Sequence, residues 1–110
     1  MRIAAFAVAA TFMLFAIPRA QAADPTFTLV IKDHTFEPAR IEVPAGQKFQ
    51  LIVRNMDSTA EEFDSPDLKR EKVIAAGKEA TIYIGPLKPG TYRFIGEYHE
   101  ATAKGEIVAK

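Results

Sequence analysis

Cysteine is absent from all 110 residues. That excludes disulfides, thiolate zinc sites, iron–sulfur clusters, covalently attached c-type haem and any cysteine nucleophile. A charge excess is absent too, since 14 Lys and Arg stand against 14 Asp and Glu. A nucleic-acid binder would carry a basic surplus, so no nucleic-acid partner is expected. The chain has no Gly-rich phosphate loop, no G-x-S-x-G elbow and no H-E-x-x-H helix. It has no internal repeat and no low-complexity tract. What remains is globular: 48% hydrophobic and 25% charged residues, in a length that fits one small domain.

Residues 1–22 read as a secretory signal peptide. Arg2 supplies the positive start, Ile3 to Ile17 form an apolar run, and Pro18 breaks it. Ala20-Gln21-Ala22 offers a small-residue cleavage site, so cleavage is expected after Ala22. The competing reading, an uncleaved anchor, suffers from a run too short for a bilayer span. The expected mature domain is therefore residues 23–110, exported to the periplasm, with no membrane span left after cleavage. Loss of Arg2 and Arg19 tips its charge slightly acidic.

Along residues 23–110, apolar and polar residues alternate in short runs between Pro/Gly turns. Thr26–Lys32, Arg40–Val43, Gln47–Arg54, Ala80–Ile84, Thr91–Glu97 and Lys104–Ala109 are expected strands, and Lys72–Ile74 a brief one. Asn55 to about Lys69 reads as a loop, with a short helical turn in the 55–71 connection because Pro66 suits a helix start. Met56 is expected to pack under that loop. Six to eight strands of this kind predict an all-β, antiparallel-rich sandwich.

Two acid-rich stretches stand out. One holds Asp57, Glu61, Glu62 and Asp64; the other holds Glu97, His99 and Glu100. His34 is the remaining histidine. Carboxylate oxygens with one or two imidazoles suit iron, manganese, zinc or Cu(II), and do not suit Cu(I). The competing reading is a solvated acidic rim with no metal. His34, as a lone imidazole, reads as a half-buried loop residue or as a second imidazole ligand.

The order of segments resembles a family. Phe36-Glu37-Pro38, Ile41-Glu42-Val43-Pro44-Ala45-Gly46 and Leu51-Ile52-Val53-Arg54-Asn55-Met56-Asp57 are similar to the first half of a cupredoxin, the small copper-binding Greek-key β-sandwich. Leu87-Lys88-Pro89-Gly90-Thr91-Tyr92-Arg93-Phe94 and Lys104-Gly105-Glu106-Ile107-Val108 are similar to its second half. Of the four blue-copper ligand positions, the resemblance puts Glu61 at the first His, Gly96 at the Cys, His99 at the second His and Ala103 at the Met. Only one ligand remains, so no type 1 copper and no blue-copper electron transfer are expected.

Glu61-Glu62-Phe63-Asp64-Ser65 with Leu68, Glu71-Lys72-Val73, Gly96-Glu97-Tyr98-His99 and Gly105 resembles the cupredoxin-like periplasmic proteins of iron-permease systems. These include the N-terminal cupredoxin domain of the EfeO proteins and the FtrB-type proteins. The resemblance implies capture of iron, with or without copper, for a permease or another periplasmic uptake component. It also implies a possible ferroxidase activity. The expected metal ligands are Glu61, Glu62, Glu97 and His99, with Glu61 ranked ahead of Glu62, and with His34, Asp57 and Glu100 as weaker candidates. The alternative is a metal-free sandwich acting as an interaction module. That alternative would be favoured if Glu61 and Glu62 both lay more than about 8 Å from His99, since ligands sharing an ion lie near 2.0–2.6 Å from it.

Overall fold

Alternation decides the strands wherever one face is apolar. The structure, a computed structural model, describes residues 23–110 and, ahead of them, Ala4, Ala9, Ala10, Thr11 and Met13. The expected leader, residues 1–22, lies outside the described residues apart from those five. Nine strands are described: β1 Thr26–Lys32, β2 Thr35–Glu37, β3 Arg40–Val43, β4 Phe49–Asn55, β5 Glu61–Ser65, β6 Arg70–Ile74, β7 Glu79–Ile84, β8 Gly90–Gly96 and β9 Lys104–Ala109. One turn of 3-10 helix, Glu97–His99, follows β8. Among the described residues no helix is long and apolar enough to cross a membrane.

The strands form two sheets, ordered β2-β1-β4-β7 and β3-β9-β8-β5-β6. Most pairings are antiparallel, but β1 pairs β4 and β3 pairs β9 in parallel. Leu29, Ile31, Leu51 and Val53 point inward from the first sheet, and Ile41, Phe63, Phe94 and Ile107 from the second; all are buried. Each such side chain taken out of water stabilises the fold by about 1.5–3 kcal/mol. Phe36, Phe63 and Phe94 form an aromatic trio. Phe36 meets Phe94 edge-on at 5.0 Å and Phe63 edge-on at 6.3 Å. Phe63 is the residue paired with Gly96, so this trio floors the end of the sandwich where β8 gives way to the 3-10 turn.

The structure departs from the sequence reading in four places. Glu61–Ser65 is a strand rather than loop, because β6 and β8 flank it on both sides. Thr35–Glu37 is a further strand, closed onto β1 by a two-residue turn at Asp33 and His34. Together these bring the count to nine rather than six to eight. The 55–71 connection holds no helix. Pro66–Lys69 is a hydrogen-bonded turn, with the Lys69 N–H donating to the Pro66 carbonyl at 3.1 Å, and Lys69 at φ 55° cannot extend it helically. Met56 does not pack under the loop but is 60% exposed, because buried Asn55 organises the segment instead. The Asn55 amide donates to the Thr59 and Ile74 carbonyls, and its oxygen accepts from the Asp57 N–H.

Candidate metal centre

Strand alternation splits the two neighbouring glutamates. Glu61 turns inward and is 1% exposed; Glu62 turns to the outer face of the same sheet. An uncompensated buried carboxylate is costly, so its partners matter. Glu61 Oε1 accepts the N–H of Glu62 at 3.0 Å and of Tyr98 at 2.9 Å. Glu61 Oε2 lies 2.5 Å from His99 Nδ1. At that separation the imidazole and the carboxylate are hydrogen-bond partners.

His99 is held by its own loop. Ala103 N–H donates to the His99 carbonyl at 2.8 Å, and Gly96 N–H to the Ala103 carbonyl at 2.8 Å, closing residues 96–103 into a tight ring. His34 reaches the same place from the other sheet. Its ring stacks on that of His99, centroids 3.5 Å apart and planes within 12°. Asp33 and His34 both take left-handed φ values, 52° and 58°, as a two-residue hairpin turn of this hand requires. Asp57 supports that conformation by accepting the Asp33 N–H at 2.8 Å and the His34 N–H at 3.0 Å. Burial pushes the Asp57 carboxyl up, but those two N–H groups outweigh it and hold the group below its ordinary value. Thr102 adds a clamp, its hydroxyl donating to the His34 carbonyl at 2.6 Å.

His34, Glu61 and His99 each offer a ligand atom within 4.8 Å of the others. His34 Nδ1 is a buried nitrogen that makes no hydrogen bond, with Asp57 Oδ2 3.4 Å away. The remaining expected residues fall elsewhere. Glu62 and Glu97 gather with Glu71, away from the imidazoles. Asp57 belongs to the His34 turn. Glu100 is exposed and joins neither cluster. Glu71 was not among the residues expected from sequence. Glu71-Lys72-Val73 is part of the resemblance, but no ligand role was drawn from it; the structure's register sets Glu71 opposite Asp64 and hence on the same outer face as Glu62.

A family model described as a cupredoxin-like domain matches residues 4–109. The chain belongs to that family. An uncharacterized protein of Rickettsia prowazekii (strain Madrid E) is 46% identical over 80 residues, 73% of this chain and 64% of that protein. The chain thus spans under two thirds of that relative's length. Among solved structures, auracyanin A, a "blue" copper protein from Chloroflexus aurantiacus, matches with a TM-score of 0.69 at 13% identity. That match covers 80% of this chain and 100% of auracyanin A. The metal-binding domain of the Cu(I)-exporting P-type ATPase CopA of Streptococcus pneumoniae D39, solved with Cu(I), gives 0.69 at 15% identity, over 77% and 84%. At such identities the likeness shows the fold.

A cupredoxin of the blue type needs a copper thiolate, and this chain does not fit one. It has no cysteine. The position is also sterically closed, since a Cβ on Gly96 would fall 2.7 Å from Ala103 Cβ and 2.7 Å from Glu61 Cδ. Gly96 has an ordinary extended φ of −92°, so it is glycine for space, not for conformation. The carboxylate of Glu61 fills the space a side chain at 96 would need.

Proposed function

We propose that this cupredoxin-like protein is a periplasmic metal-binding component of an iron uptake system, holding iron or Cu(II) at His34, Glu61 and His99. The observation that carries this reading is the buried Glu61 carboxylate paired with His99, whose ring stacks on that of His34. Two imidazoles and one carboxylate form a borderline-to-hard donor set, which favours iron or Cu(II) over Cu(I). Such an ion, once bound, would supply a redox-capable centre. The chain's own residues supply its placement. Glu61 brings the negative charge, His34 and His99 bring nitrogen, and Asp57 and Thr102 fix the His34 turn. The resemblance to the EfeO and FtrB groups supports delivery to an iron permease, and the signal-like N-terminus supports export. The metal-free alternative is not favoured, since Glu61 lies 2.5 Å from His99 rather than beyond contact.

The test is calorimetric titration of the purified protein with Cu(II), Fe(II) and Fe(III). The reading expects at least one of these to bind tighter than about 1 mM, the weak end of protein cation sites, and to bind more weakly to His99→Ala. No binding of that strength by any of the three would sink the proposal. Metal analysis of protein isolated from its own periplasm then identifies the native ion.

A further inference from the structure

The outer face of the second sheet carries sorted charges. Phe63, Phe94 and Ile107 are buried on its inner face, so strand alternation turns Asp64, Arg93, Ile95, Lys104 and Glu106 outward. The register lines up Asp64, Ile95 and Lys104 in one row across β5, β8 and β9: acid, apolar, base. In a parallel row Arg93 and Arg40 stand on either side of Glu106. Beyond Ile95 in the other direction, Glu97 follows the end of β8. The face thus has a basic corner at Arg40, Arg93 and Lys104 and an acidic corner at Asp64 and Glu97, with half-buried Ile95 between them. Asp64, Arg93 and Lys104 have no ion-pair partner among the described residues. Arg93 stands between two grooves. One, of about 250 Å³, includes Asp64, Pro66 and Ile95 in its walls. The other, of about 480 Å³, includes Arg40, Lys104 and Glu106.

A face sorted in this way is its own complement. Strands lie about 4.8 Å apart and residues about 3.3 Å apart along them. On that grid, a two-fold axis between two such faces, passing Ile95 diagonally to the strands, exchanges the two corners. Arg93 of one copy comes over Asp64 of the other, Lys104 over Glu97, and Ile95 over Ile95. Each charge contact occurs twice, as a two-fold interface requires. The strands of the two copies cross at roughly a right angle, one of the two ways in which sheets stack. An axis along β8 would instead set Arg93 on Arg93, like on like.

We propose that this face is the interface of a two-fold dimer, in which Arg93 of each copy enters the Asp64 groove of the other and the two Ile95 side chains meet. The Arg93 stem covers the apolar wall of that groove while its guanidinium meets the Asp64 carboxylate. Five strands at this spacing span about 20 Å, so each copy buries about 400 Å², in the size class of weak, reversible complexes. None of the imidazole-site residues lies on this face, so the dimer stands or falls apart from the metal reading.

Sedimentation velocity on the purified protein is the test. In about 0.05 M NaCl the average mass should climb from one chain toward two as concentration rises from about 10 μM to about 1 mM. The dimer should weaken in about 0.5 M NaCl, where exposed charges are screened. Arg93→Glu and Asp64→Arg should each remain monomeric, since each sets like charges against one another. Mixed one to one, the two variants should regain a dimer, because every such contact then joins opposite charges. A wild type that stays monomeric up to about 1 mM overturns the interface. A dimer that survives both single variants overturns it as well, and so does a mixture that stays monomeric.

Discussion

Glu61 and Gly96 occupy one space between them: a Cβ on Gly96 would stand 2.7 Å from Glu61 Cδ and 3.0 Å from Glu61 Oε1. The two positions are therefore coupled. A carboxylate at 61 that turns inward excludes a side chain at 96, and a side chain at 96 would expel the carboxylate. The resemblance reads these as the positions of a copper His and the copper Cys; on that reading an inward carboxylate at 61 and a side chain at 96 exclude each other.

Gly96→Ala follows from that coupling. The added methyl meets Ala103 and the Glu61 carboxylate in a region with no room to yield. Overpacking of this kind costs about 1–3 kcal/mol, so the urea midpoint should fall. Metal affinity should fall with it, because Glu61 is pushed from His99. Gly105→Ala is the control. Its methyl would collide with the Phe94 ring and approach the Ala39 carbonyl to 2.8 Å. It should lower stability similarly while sparing the metal titration of the protein that still folds.

Glu61→Gln separates charge from shape. The amide oxygen can still accept the Glu62 and Tyr98 N–H groups that Glu61 Oε1 accepts. The fold should lose less than about 1.5 kcal/mol, the scale of one hydrogen bond. Cu(II) affinity should drop by about tenfold or more, since the carboxylate grouped with the two imidazoles is gone. Thermal melting and calorimetry on the same sample check both halves. Unchanged Cu(II) affinity would remove Glu61 from the site.

Asp57→Ala tests positioning without removing a proposed ligand, although Asp57 Oδ2 lies 3.4 Å from His34 Nδ1. Asp57 accepts the two N–H groups of a turn whose residues both sit at positive φ. Removing it leaves those donors to water and the turn without its support, at a cost of about 1–3 kcal/mol. His34 should lose its fixed stacking on His99, visible as averaged His34 ring resonances in NMR spectra. Cu(II) binding should weaken, although Asp57 is not itself a ligand.

The strands that alternate were legible in the sequence. Thr26–Lys32, Arg40–Val43 and Lys104–Ala109 coincide with β1, β3 and β9 because each shows one apolar face. Glu61–Ser65 was not legible, although four of its five residues are buried. Three of those four are Glu61, Glu62 and Ser65, whose burial rests on hydrogen bonds, cross-strand neighbours and a loop rather than on apolar character. Ser65, for instance, donates to the Arg93 carbonyl at 2.6 Å. Hydropathy carries no trace of that. The pairing of Glu61 with His99 was suggested by the cupredoxin order. The stacking of His34 on His99 and the arrival of Glu71 beside Glu62 depend on turn geometry and register between strands distant in sequence. A pattern read along one chain does not record either.

Glu62 gives the protein a pH dependence of definite sign. Hydrogen bonding with Glu71 is the leading cause, followed by burial and the charges of Glu97 and Glu71, and together they push its pKa from 4.5 up to about 7. Tyr98 faces the same group, and its hydroxyl is also pushed up, by burial first and then by Glu62. The folded chain therefore keeps a proton on Glu62 that the unfolded chain releases above pH 4.5. Wherever the folded state holds the extra proton, stability falls as pH rises. The contribution is fully present below pH 4.5 and is lost as pH climbs through about 7. Metal-free protein should melt at a lower temperature at pH 8 than at pH 5. Glu62→Gln, neutral at both, should lose much of that difference and should raise the melting temperature chiefly at pH 8. Equal pH dependence in wild type and variant would show that Glu62 does not carry the extra proton.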